Sequence, residues 1–163
     1  MAFRLVALCV LCFLVIGING ECPPGAVSSA DQQRCFQYLP FHADFLLADQ
    51  ICKQFGGNLA AIFDKKDGTQ IRSLIAAQQA ANNSIWIGGT TMPEFRNWKW
   101  TSGHTLNYTN NQNLQSLIAL GIDCLSLTND AIWRPTKCCT QQAFVCETAA
   151  PKETFAGKFS KEF

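Results

Sequence analysis

Seven cysteines fall between positions 22 and 146: Cys22, Cys35, Cys52, Cys124, Cys138, Cys139 and Cys146. Two more, Cys9 and Cys12, lie in a leading segment of different character. Arg4 opens that segment, an apolar run from Leu5 to Ile18 fills it, and Gly17 to Gly20 supplies small residues for cleavage before Glu21. These are the parts of a secretory signal, expected over residues 1–20. The run is shorter than the roughly 20 residues a membrane helix needs, so stable membrane insertion is not expected, a retained anchor being the alternative. Cysteines of a secreted chain pair, and an odd number leaves one over. The fold must therefore accept several covalent ties, whose connectivity the sequence alone leaves open.

Residues 21–163 suffice for one domain with one sizeable core. Without Arg4 the basic and acidic residues balance and are dispersed along the chain. Nucleic acid, which selects a basic patch, is not an expected partner.

Two helices and several strands are legible. Leu47, Ile51 and Phe55 recur every four residues, with Ala48 and Cys52 beside them, so a helix is predicted from Asp44 to Phe55. Asp44 can cap it and Gly56-Gly57 can stop it. A second helix is predicted from about Asp67 to Ala81, carrying Ile71, Leu74, Ile75 and Gln78 on a narrow stripe and ending at Asn82-Asn83. Strands are predicted at Leu59–Phe63, Ile85–Ile87, Trp98–Trp100, Asp123–Leu127, Ala131–Trp133 and Ala143–Glu147. Between Ser102 and Asp123 the chain is rich in Asn and Gln, and Leu114, Leu117, Ile118 and Leu120 suggest one helical turn. Helices followed by strands give an α+β domain with a mostly antiparallel sheet. Residues 149–163 form a polar tail expected to be disordered, although Phe155, Phe159 and Phe163 are spaced for a helix induced by a partner.

Four features occur in a telling order: Trp86-Ile87-Gly88-Gly89, Trp98-Lys99-Trp100, Trp133-Arg134-Pro135 five positions before Cys138, and Phe144-Val145-Cys146 at the end. In that order, with those cysteine intervals, residues 22–147 resemble the C-type lectin-like domain family. The resemblance implies a domain over 21–148 with two helices, a mostly antiparallel sheet and a long loop region. It implies the pairs Cys22–Cys35, Cys52–Cys146 and Cys124–Cys138. Cys139 is then left over, either as a buried thiol or as a bridge to a second copy in a disulfide-linked homodimer. Neighbouring cysteines pair poorly with each other, because a disulfide needs more Cα separation than one peptide gives.

The family's calcium-dependent members hold the ion with a Glu-Pro-Asn-like loop and a Trp-Asn-Asp triplet. Here the first place reads Asn111-Gln112-Asn113, and residues 104–122 contain no Asp or Glu. The second reads Trp133-Arg134-Pro135. Calcium takes about 6–8 oxygen ligands, whereas Arg offers only donors and Pro only its carbonyl. Asp123 and Asp130 lie near in sequence but would need supporting ligands. No metal and no cofactor is expected.

The implied function is recognition of a glycan or an extracellular protein without calcium. Its candidate residues are Asn111, Gln112, Asn113, Trp133 and Arg134. Trp133 would stack on a sugar face or, like Trp86, Trp98 and Trp100, pack the core. Arg134 would pair with an anionic group or stay solvated. Two glycosylation sequons start at Asn82 and Asn107. Catalysis finds no motif: His42 and His104 are isolated, and Cys139 has no orienting partner in sequence. A calcium-dependent lectin with rearranged ligands and a disulfide-linked inhibitory or structural partner remain the alternatives.

Overall fold

The computed structural model describes residues 21–78, 84–93, 97–111, 114, 123–128 and 132–152. The signal segment, the Asn82 sequon, Gln112, Asn113, Asp130 and the tail beyond residue 152 lie outside them. The described elements run β1 (Ala26–Ser28), β2 (Arg34–Ala43), α1 (Phe45–Gln54), β3 (Asn58–Leu59), α2 (Lys65–Ala77), β4 (Ile85–Thr90), β5 (Lys99–Trp100), β6 (Asp123–Leu127), β7 (Trp133–Lys137) and β8 (Gln142–Ala149). The fold is the α+β type expected.

One sheet organises them, in the order β1-β2-β8-β4-β6-β7, with β3 joined to β8 and β5 to β4. Every described pairing is antiparallel except β4 against β8, where Ile85 and Trp86 oppose Ala143 and Phe144. Strand residues alternate between faces, and β8 is apolar on both. Ala143 and Val145 enter one core with Trp100, Trp133 and α2, while Phe144 and Cys146 enter a second with Trp86 and α1. Burial on both faces explains why β8 reads as a continuous apolar run.

α1 differs from its sequence pattern in an instructive way. The Asp44 carboxylate accepts from Leu47 N at 2.9 Å, and the C-terminus closes with Gly56 N on Lys53 O and Gly57 N on Cys52 O, both 3.0 Å. Gly56 takes φ +79°, the left-handed geometry this closure requires. The buried face is Phe45, Ala48, Asp49 and Cys52. Leu47 and Phe55 are 47 and 58 % exposed, so these two residues of the apolar stripe face outward, while Ala48 and Cys52 beside them are buried and Ile51 packs partly buried against the core. Covalent attachment of Cys52 to Cys146 fixes the helix's rotation.

α2 begins two residues before the predicted start. Asp64 caps it by accepting from Asp67 N at 2.8 Å, and Asp67 itself turns inward to Arg34. Ile71, Leu74 and Ile75 are buried as expected, and Gln78 is not. β3 is shorter than Leu59–Phe63 because β8 supplies ladder bonds only to its start. Beyond it Ala61 N donates to the Glu147 carboxylate at 3.0 Å. β7 extends past Trp133 to Lys137 and contains Pro135, tolerated because β7 is the edge strand.

Three disulfides join Cys22–Cys35, Cys52–Cys146 and Cys124–Cys138, as the family resemblance implied. Cys139 is free and exposed.

Candidate functional site

The loop region meets the sheet at the start of β7. Asn111 Nδ2 donates to Trp133 O at 3.0 Å, and Trp133 N donates to Asn110 Oδ1 at 3.2 Å. Thr109 Oγ1 and the Asn111 backbone close a local turn through two bonds of 3.0–3.1 Å. Tyr108 packs edge-on against the Trp133 ring, centroids 5.6 Å apart, and Trp100 does the same at 5.5 Å. The segment 108–111 is thus laced to one strand through both backbone and rings.

These contacts separate the candidate residues. Trp133 is 1 % exposed and belongs to the core with Trp98 and Trp100, as Trp86 does to the second core, so the packing alternative holds and no ring face is offered for stacking. Arg134, the next residue on the strand, is exposed, and alternation sends its side chain to the other face. The two do not form one site. Asn111 is partly buried beside Trp133, and Asn107 is exposed, as a glycan acceptor must be.

The donor set can be tested for calcium. Asn110 and Asn111 direct a side-chain atom each at the Trp133 backbone. Arg134 and Pro135 bring no side-chain acceptor. Asp123 is buried at the head of β6, its backbone carbonyl accepting from Thr91 N at 3.1 Å. No three His, Cys, Asp or Glu residues gather for a metal among the described residues. Among the described residues this site lacks the cluster of carboxylates that such a hard, oxygen-seeking ion usually takes.

Two arrangements escaped sequence reasoning. Arg34 bridges Asp67 at 2.6 Å and Glu147 at 2.8 Å, joining residues 33 and 113 positions away, and its guanidinium lies 4.3 Å from the Phe63 ring centroid. Burial pushes the Glu147 carboxyl above the ordinary carboxylate range, while the Ala61 N–H and Arg34 pull it back. Such long-range pairing leaves no local pattern. The second is Cys139 in the β7–β8 turn beside α1: Phe45 N donates to Cys138 O at 2.9 Å, and the next two helix residues, Leu46 and Leu47, are largely exposed.

Comparison with known proteins agrees with this geometry. The family model described as "Lectin C-type domain" matches residues 43–148. The galactose-specific lectin nattectin of Thalassophryne nattereri is 29 % identical over 149 residues, covering 86 % of this chain and 92 % of that protein. Human lithostathine superposes with a TM-score of 0.70 at 25 % identity, covering 79 % of this chain and 91 % of that one. A calcium-independent type II antifreeze protein superposes with a TM-score of 0.64 at 26 % identity, covering 80 % and 96 %.

Proposed function

Because the chain belongs to the C-type lectin domain family, we propose that it is a secreted, non-catalytic recognition domain that works without calcium. Its loop region 104–122 and the adjoining strands would present a surface to a carbohydrate or an extracellular protein. The observation that carries the calcium-independent reading is the donor set. Residues 104–122 lack any carboxylate, Arg134-Pro135 replaces an acceptor pair, and Asn110 and Asn111 bond the Trp133 backbone. Secretion is supported by the leading segment of Arg4 and its apolar run. No helix among the described residues is long and apolar enough to cross a membrane.

Galactose is the first sugar to try, since the relative nattectin is named for it. A glycan array read with and without EDTA tests the proposal. Retention unchanged by the chelator is expected; retention abolished by it favours a rearranged calcium site. Calorimetric calcium titration adds a second readout, because an ion bound only by the folded state must raise the melting temperature.

A second reading concerns the free thiol. Cys139 is exposed and follows Cys138, which accepts from Phe45 N at the start of α1, just before the exposed Leu46 and Leu47; this suits a disulfide-linked homodimer. Electrophoresis without reductant is expected to show a dimer that Cys139→Ser abolishes.

A further inference from the structure

A cleft of about 180 Å³ opens between α2 and the loop segment carrying Tyr108 and Asn110. We propose that it is a binding site for a single acidic sugar unit, one bearing a sulfate ester or a carboxylate. The inference rests on the recognition reading above and adds a place and a chemistry to it.

The α2 wall is built from one helix face. Lys65, Gly68, Thr69 and Arg72 are spaced i, i+3, i+4 and i+7, so all line the same side of the helix. Lys65 and Arg72 stand two turns apart, about 10 Å along the axis, and flank the opening. Both are exposed, and the described residues supply neither with an ion-pair partner. Among the described residues no Asp or Glu lines the cleft. Asp67 on the same helix is buried against Arg34, and the Asp64 carboxylate is occupied at the helix start. The described lining thus carries two positive side chains and no negative one.

The floor has the opposite character. The half-buried Tyr108 ring, held edge-on to Trp133, packs against the core that contains Leu127 and Ile62, and all three line the cleft. Apolar floor, hydroxyl and amide edges, and two cations suit a ligand that is part hydrocarbon, part hydroxyl and singly or doubly charged. A sugar ring presents CH groups to an aromatic surface while its acidic substituent reaches Lys or Arg, the latter able to bind it with two parallel hydrogen bonds. The volume is below the roughly 300 Å³ of ordinary drug-sized pockets, which fits one ring better than a length of peptide.

Gly68 gives the cleft its depth and offers a clean way to close it. A Cβ there would meet nothing nearer than Ile62 Cγ2 at 3.8 Å, and its φ is not in the left-handed region. Gly68→Leu should keep the helix, since Gly is the poorer helix former, and fill the space.

The test is titration of galactose 6-sulfate, N-acetylneuraminic acid and plain galactose, followed by amide chemical shifts or calorimetry, against wild type, Lys65→Gln/Arg72→Gln, Gly68→Leu and Arg134→Gln. The acidic sugars are expected to bind wild type, to weaken at least roughly tenfold in the double variant as charge-assisted bonds are lost, to be blocked by Gly68→Leu, and to be unaffected by Arg134→Gln. Comparing the sulfate with the carboxylate sugar shows which acid group is preferred. Acidic sugars that bind all four proteins alike, or that bind no better than galactose, overturn this site while leaving the recognition reading intact. Binding of an acidic peptide in place of acidic sugar, lost in the same variants, overturns the saccharide assignment. Failure of every sugar on the glycan array as well would overturn both.

Discussion

Arg34 shows how much one buried cation can organise. It holds Asp67 and Glu147, whose side chains are 2 and 8 % exposed, and it shields them from water at the seam of β2, α2 and β8. Removing it leaves two buried carboxylates facing each other, so Arg34→Met is expected to cost about 3–5 kcal/mol in urea denaturation. Lys53, paired with Asp49 but 57 % exposed, is the control; Lys53→Met should cost less than about 1 kcal/mol. Glu147 adds a pH dependence. Its carboxyl is raised, so between the ordinary carboxylate pKa and the raised value the folded chain holds more protons than the unfolded one. Stability must then fall as pH rises through that window. Subtracting the denaturation profile of Glu147→Gln from that of wild type should isolate this slope; a flat or rising difference would refute it. None of this was visible in the sequence, where the three residues carry no shared pattern. The neighbouring pair Trp133-Arg134 was visible and misled, because adjacency along a strand places side chains on opposite faces.

At the level of elements, periodicity found both helices and most strands, and it erred where covalent or polar ties outweigh apolar spacing. In α1 the Cys52–Cys146 bond and Phe45, packed edge-on to Trp86 at 5.5 Å, choose the buried face. They leave Leu47 and Phe55 outside, although their four-residue rhythm is the stronger signal in the chain. A helix so oriented predicts that Leu46→Gln/Leu47→Gln changes folding stability by less than about 0.5 kcal/mol, as exposed positions do, while lowering self-association in analytical ultracentrifugation. β4 shows the reverse, a position legible as special but not as to why. A Cβ at Gly88 would lie 2.5 Å from Leu59 O, a backbone atom that cannot swing aside. Gly88→Ala should therefore destabilise by about 1–3 kcal/mol, through displacement of β3 from β4.

For the molecule as a whole, the cysteines and the ordered tryptophan motifs made the architecture readable before any coordinates. The recognition surface was less so, because it depends on which loop atoms meet which strand. The tie from Cys52 to Cys146 spans 94 residues. Removing it with Cys52→Ala/Cys146→Ala should lower stability by about 4–5 kcal/mol if loss of loop entropy in the unfolded chain dominates. Guanidinium unfolding under non-reducing conditions checks this, and a loss below about 1 kcal/mol would contradict it.

The pairing of β2 with β8 sets Arg34 opposite Ala149 and lets Ala150 N donate to Gln33 O at 2.8 Å, while β7 forms the far edge of the same sheet. The described chain thus enters and leaves at neighbouring points, through strands β1 and β8 that lie five and three strand spacings from β7 and Arg134. A bead, chip or carrier coupled through either of those points would hold the domain by its back, leaving the β7 edge directed at whatever drifts past.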